Sequence, residues 1–353
     1  MMETSKTQQI VKKRDKSIDA MKFLLISMVI FDHCQVATRL YITPGYEHIY
    51  QFFQAIKMPI FVFISGYFMR RNTSRKKFYK GIVMLLETYL VFQIPYLIIS
   101  IPYYHNQVNP LVLLRPGWAM WYLPALVIWR IAAYELPERI ISRKGPFLVF
   151  LFLLSLLGGF MTYDGRVFQR VITYAPMFFI GFYCGKTTVL EKLRKINPIF
   201  PILVFLSYAT FLIVANPHTS ALFFQNIPYF NEFLPVMESF VVRIAWHIVT
   251  LVVGASAASL MLRIKNEMLA QLGMHTLLFY VGHIGLLAFT RPYMSAHGLL
   301  QKHPIHAVAV FCMIIVFFTI LSQFKWHKYI LNPVTSLFDK LFSSVKQVHK
   351  AES

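Results

Sequence analysis

In the largely apolar run Ser17 to Cys34 (SIDAMKFLLISMVIFDHC), two misplaced polar residues, Lys22 near its start and His33 far inside, give the first chemical signal in the chain. Lys22 and His33 are eleven residues apart. On an α-helix that is close to three turns, so both fall on nearly one face, separated by ~16 Å of rise. Asp19 lies within about 40° of the same stripe at ~100° per residue. A cation near one membrane surface and an imidazole deeper in make a rail for a long, anionic cofactor arriving from the cytoplasm. Ionisable groups at such depth are costly and are functional candidates by default. The plainer reading is a helix end with a snorkelling Lys and a His bonded to a neighbouring helix.

A second informative stretch is KMPIFVFISGYFMRRN, Lys57 to Asn72. Pro59 and the Ser65-Gly66 pair sit inside an apolar span, where a helix can kink and a partner can approach closely. Arg70 and Arg71 emerge on the side where Lys22 begins. An Arg pair can fork onto phosphate oxygens and hold the nucleotide end of a cofactor, although the positive-inside rule alone also explains arginines there. Lys57 is either neutral or paired with Asp32 or Glu87.

These residues need spans to position them, and composition supplies the class. The chain has 353 residues, 57% of them hydrophobic and 14% charged, with mean hydropathy +0.54, which excludes an ordinary water-soluble globule. A net charge of +20 would suit nucleic acid only if the basic residues shared a soluble face, and here they punctuate apolar runs. The three cysteines lie in or beside apolar segments and read as small buried hydrophobes, with no disulfide framework and no metal expected. No cleavable signal is apparent.

Ten apolar runs give ten expected spans in an all-α, polytopic membrane protein: 18–38, 49–69, 78–101, 118–134, 146–163, 168–185, 198–215, 236–262, 268–290 and 305–324. Residues 1–17 form a basic cytoplasmic segment, 18–324 the membrane domain and 325–353 a cytoplasmic tail. With the amino terminus inside, 27 of the 35 Lys and Arg fall on the inner side, which orients both termini to the cytoplasm across the plasma membrane. Beyond Pro333, helical spacing of Val334, Leu337, Phe338, Leu341, Phe342 and Val345 predicts an amphipathic helix on the inner leaflet. Asn216–Pro235 is the longest outer loop. It can shape an acceptor site or serve as an interfacial aromatic belt.

SIDAMKFLLISMVIFDH, MPIFVFISGYFMRR and GWAMWYLPALVIWR (117–130) resemble successive signatures of the acyltransferase-3 membrane O-acyltransferases. FQRVITYAPMFFIGFYCG (168–185) and LGMHTLLFYVGHIGLL (272–287) agree, and the set is similar to the fucose 4-O-acetyltransferase-like branch. The resemblance implies an enzyme taking an acyl group, usually acetyl from cytoplasmic acetyl-CoA, to a hydroxyl of a glycan or its lipid-linked precursor. Its basic-residue and histidine motif lands on Lys22 and His33, with the histidine essential, and its arginines land on Arg70 and Arg71. Many relatives carry His where this chain has Lys57, which leaves the acceptor or the proton inventory open.

A thioester is already activated, so the catalyst mainly needs to deprotonate the attacking alcohol. His33, with an unperturbed pKa near ~6.5, is suited to be that general base. Asp32 is adjacent but points about 100° away, so Asp19 is the better partner in this stripe, holding Lys22 or binding a substrate. Arg170 and Tyr174 share one face and are oxyanion-donor candidates, with surface snorkelling the alternative for Arg170. His283 either positions a substrate or is a hydrogen-bonded structural His, and Arg243 with His247 could form an acceptor-facing row. An acyl-Ser65 route competes with a simple packing role for that residue. The rival readings are a proton-coupled transporter, which should show pseudo-symmetric halves where none is found, and an inactive acyltransferase-like scaffold.

Overall fold

The computed structural model describes residues 14–104, 120–161, 166–215, 227–231, 234–296, 303–324 and 327–337. Among them the structure is helical, with no strand. The helices are α1 (Lys16–Ala37), α2 (Glu47–Gln54), α3 (Lys57–Tyr67), α4 (Arg75–Tyr104), α5 (Tyr122–Glu135), α6 (Glu138–Ile141) and α7 (Lys144–Leu157). They continue with α8 (Arg166–Cys184), α9 (Val189–Lys195), α10 (Ile199–Ala215), α11 (Val236–Met261), α12 (Glu267–Met274), α13 (Thr276–Ala296), α14 (Pro304–Ser322) and α15 (His327–Leu331).

Every apolar run coincides with helix, but the expected ten spans are not ten unbroken membrane-length helices. Among the described residues five are long and apolar enough to cross on their own: α1, α2 with α3 taken together, the first part of α4, α11 and α14. A sixth is possible if α9 and α10, bent by 85°, are one broken span. The second run breaks at Ala55-Ile56, just before Pro59, whose ring and missing N–H are tolerated in the first turn of α3 but not deeper. The tail is helical over 333–337, where Glu87 of α4 accepts from the Val334 and Thr335 N–H groups, and its expected continuation lies outside the described residues. So does most of the Asn216–Pro235 loop.

α1 sits at the centre. Its start is fixed by Asp15, whose carboxylate accepts from the Ser17 N–H at 3.0 Å, an N-cap. Burial pushes the Asp15 carboxyl up, but hydrogen bonds from Ser17 and Arg194 outweigh it and hold it below the usual carboxylate range. α3 crosses α8 with backbones in contact. A Cβ on Gly66 would strike the Phe178 carbonyl and one on Gly181 the Phe63 carbonyl, so only glycine permits this approach. α12 lies against α1 in the same way, with Gly273 on the Asp19 backbone.

Candidate active site

At the N-terminal end of α1, Asp19 is the hub. Its carboxylate takes Arg14 at 2.5 and 3.0 Å and Lys22 at 2.6 Å. The i,i+3 spacing on one helical face makes the Lys22 contact geometrically cheap. Lys16 pairs with Glu267 of α12, and Arg194 reaches Asp15 at 2.8 Å and Ser17 Oγ at 2.6 Å, so the mouth is tied to α9 and α12.

From Lys22 a cavity of ≈ 170 Å³ runs along α1. Its α1 wall is Lys22, Ile26 and Val29, a four-then-three spacing that keeps one stripe facing inward, and His33 is the next residue on that stripe. α3 supplies Phe61, Ile64 and Ser65, α5 supplies Tyr122, and α13 supplies Thr276 and Tyr280. Most of this lining is apolar. Tyr280 then contacts His283 edge-on, with ring centroids 6.3 Å apart.

His33, half-buried, lies one turn beyond Val29 on α1, and its ring is 5.3 Å from that of buried His283. His283 Nδ1 is 2.8 Å from the Phe279 carbonyl one turn back, which makes Nδ1 the protonated nitrogen and leaves Nε2 an acceptor. Lys57 and Arg170 both lie within electrostatic reach of His33. Lys57 does not approach Glu87. It is ion-paired with Asp32, which also accepts from Gln54 Nε2 at 3.0 Å. Asp32 therefore joins the last residue of α2 to the first residue of α3 across their break.

Arg170 lies over the Trp121 ring at 5.2 Å, and Tyr174 stacks on Trp121 with centroids 5.4 Å apart. The geometry makes Tyr174 the support of the ring that carries the guanidinium. Arg70 and Arg71 part company. Arg70 stays exposed and uses one terminal nitrogen on the Tyr67 and Met69 carbonyls, at 2.7 and 3.1 Å. Arg71 spends its fork inside the protein, on Glu138 at 3.0 Å and on the Tyr134 and Leu136 carbonyls at 3.3 and 2.8 Å. Arg243 and His247 are likewise held away from this path: Arg243 donates to Thr173 Oγ1 and the Ile227 carbonyl, and His247 meets the Arg243 carbonyl and Ser155. Sequence reasoning missed Tyr122, Thr276 and Tyr280, which carry no local signal beyond an aromatic or hydroxyl in an apolar run.

Comparison with curated proteins and with solved structures returns no match. The family model for the acyltransferase domain, acyltransferase 3, matches residues 15–323, which span the first turn of α1 to the end of α14. With that match over most of the chain and the membrane-length helices, the chain belongs to the acyltransferase-3 family and is a membrane acyltransferase.

Proposed function

We propose that this protein moves an acetyl group from cytoplasmic acetyl-CoA to a hydroxyl of a cell-surface glycan or its lipid-linked precursor, in the manner of the fucose 4-O-acetyltransferase-like branch it resembles. The observation that carries the reading is the α1 stripe Lys22, Ile26 and Val29, which lines a cavity leading inward from Lys22, with His33 the next residue on the same stripe. The donor's anionic end meets Lys22 and the exposed Arg70, and its arm lies in the apolar cavity with the thioester near His33. His33 takes the proton of the acceptor hydroxyl as its oxygen attacks the thioester carbonyl. The tetrahedral intermediate expels the CoA thiolate, and the proton held by His33 passes to that sulfur. The positive charge of Arg170 favours the oxyanion. His283 packs its ring beside that of His33, with centroids 5.3 Å apart, and so limits how that ring can turn.

The test is CoA release from acetyl-CoA by the purified, lipid-embedded protein, together with mass analysis of surface glycans from cells with and without it. An acetyl increment that depends on the protein is the expected result. Absence of both CoA release and glycan acetylation would overturn the assignment.

A further inference from the structure

Three hydroxyls in the cavity wall share a polarity that is set by where their hydrogens go. Ser65 Oγ donates to the Phe61 carbonyl at 3.0 Å, and Thr276 Oγ1 donates to the Gly273 carbonyl at 2.6 Å. The Ser65 and Tyr122 oxygens are 2.5 Å apart. Since a serine has one hydroxyl hydrogen and Ser65 has committed it, the bridging hydrogen is that of Tyr122. All three side chains thus have no hydrogen left for a ligand, while each oxygen retains a lone pair. A ligand arm carrying only ester or ether oxygens would set acceptor against acceptor here, and a hydrocarbon arm would leave these oxygens dry. An arm with N–H groups matches them. At the mouth Lys22 has the opposite character, with donors only.

We infer that Ser65, Tyr122 and Thr276 form an acceptor-only subsite that reads the amide N–H groups of the donor's linear arm. This rests on the proposed function, in which that arm carries the acyl group from the Lys22 end to His33. The subsite also gives the arm a direction: anion at Lys22, amides beside the three hydroxyls, thioester beyond Val29. Donors of the same length whose arm lacks N–H groups are discriminated against by this wall and not by the histidine.

The experiment compares equilibrium binding of CoA with that of an analogue whose arm amides are replaced by esters, each N–H becoming O. The full-length protein is held in lipid nanodiscs and folded protein is quantified by size exclusion. Wild type is expected to bind CoA about tenfold more tightly than the ester analogue. Serine's bond to the carbonyl four residues back contributes little to helix stability, so Ser65→Ala is expected to fold, and Tyr122→Phe and Thr276→Val keep shape. A fall of the discrimination to threefold or less in any of these variants supports the subsite. Equal binding of both ligands by wild type, or undiminished discrimination in all three variants, overturns it while leaving CoA as donor. Failure of wild type to bind CoA at all overturns the donor reading as well.

Discussion

Asp32 and His33 are neighbours on α1 that face different partners: Asp32 is ion-paired with Lys57, and His33 lies beside His283. Successive helical residues diverge by ~100°, so the adjacent carboxylate does not orient the imidazole. Its work is structural, at the α2–α3 break, and the imidazole's neighbour comes from α13.

Removing one member of that pair should be costly. Both side chains are almost fully buried, so Lys57→Met leaves a carboxylate without its counter-charge, a loss of about 3–5 kcal/mol. The double variant Lys57→Met with Asp32→Leu should recover much of it. Thermal unfolding of the purified protein measures this, and equal melting of the single and double variants would show that the two groups are not coupled.

His33→Ala should abolish transfer with expression and membrane insertion intact, and His33→Asn should fail too, because an amide keeps hydrogen bonding but cannot take the proton. Donor binding should survive in both. Acetyl transfer per inserted molecule is the readout. Near-normal turnover of the Asn variant would remove the general-base role.

Lys22 and Arg71 should separate into binding and folding. Lys22→Ala is expected to raise the apparent acetyl-CoA requirement about tenfold with turnover at saturating donor largely kept. Arg70→Ala should act in the same direction, with Arg70→Lys a partial rescue. Arg71→Ala should instead lower the yield of folded protein, since its N–H groups satisfy the Tyr134 and Leu136 carbonyls. Donor KM and folded yield, measured side by side, decide it.

Orientation has its own check. The charge asymmetry predicts that Cys introduced at Ser74 and at Phe230, both exposed positions, reports opposite sides of the membrane. Labelling of both by an impermeant reagent added outside intact cells would overturn the topology.

The stripe from Lys22 to His33 was legible because helical periodicity converts spacing into a shared face. The Asp32–Lys57 pair was half legible: a charge in an apolar span needs a counter-charge, but two carboxylates were available and only tertiary packing chooses. The His283 contact and the Ser65–Tyr122 bridge were not legible, since they join segments whose registration depends on the glycine crossings. The contacts of Arg71 were not legible for a related reason. The positive-inside rule places an arginine at the surface without saying whether it turns outward or caps the carbonyls of α5. Of the ten expected spans, five are matched among the described residues by helices long and apolar enough to cross on their own, because hydropathy marks apolar runs without fixing where a helix breaks.

The glycine seams at Gly66–Gly181 and at Gly273 bear on how the donor is recognised. They join α3 to α8 and α12 to α1 by backbone contact, and the Asp32–Lys57 pair then couples α1 to α3. Two of the cavity's walls, α1 and α3, are therefore held as a sleeve of fixed bore. A sleeve admits its ligand end-on and selects by fit along its length, whereas a clamshell selects by closing. The cost of ordering the wall falls on folding and is not repeated at each turnover. Substituting a larger residue at either seam would widen the bore and blunt the choice of donor before it touched the chemistry.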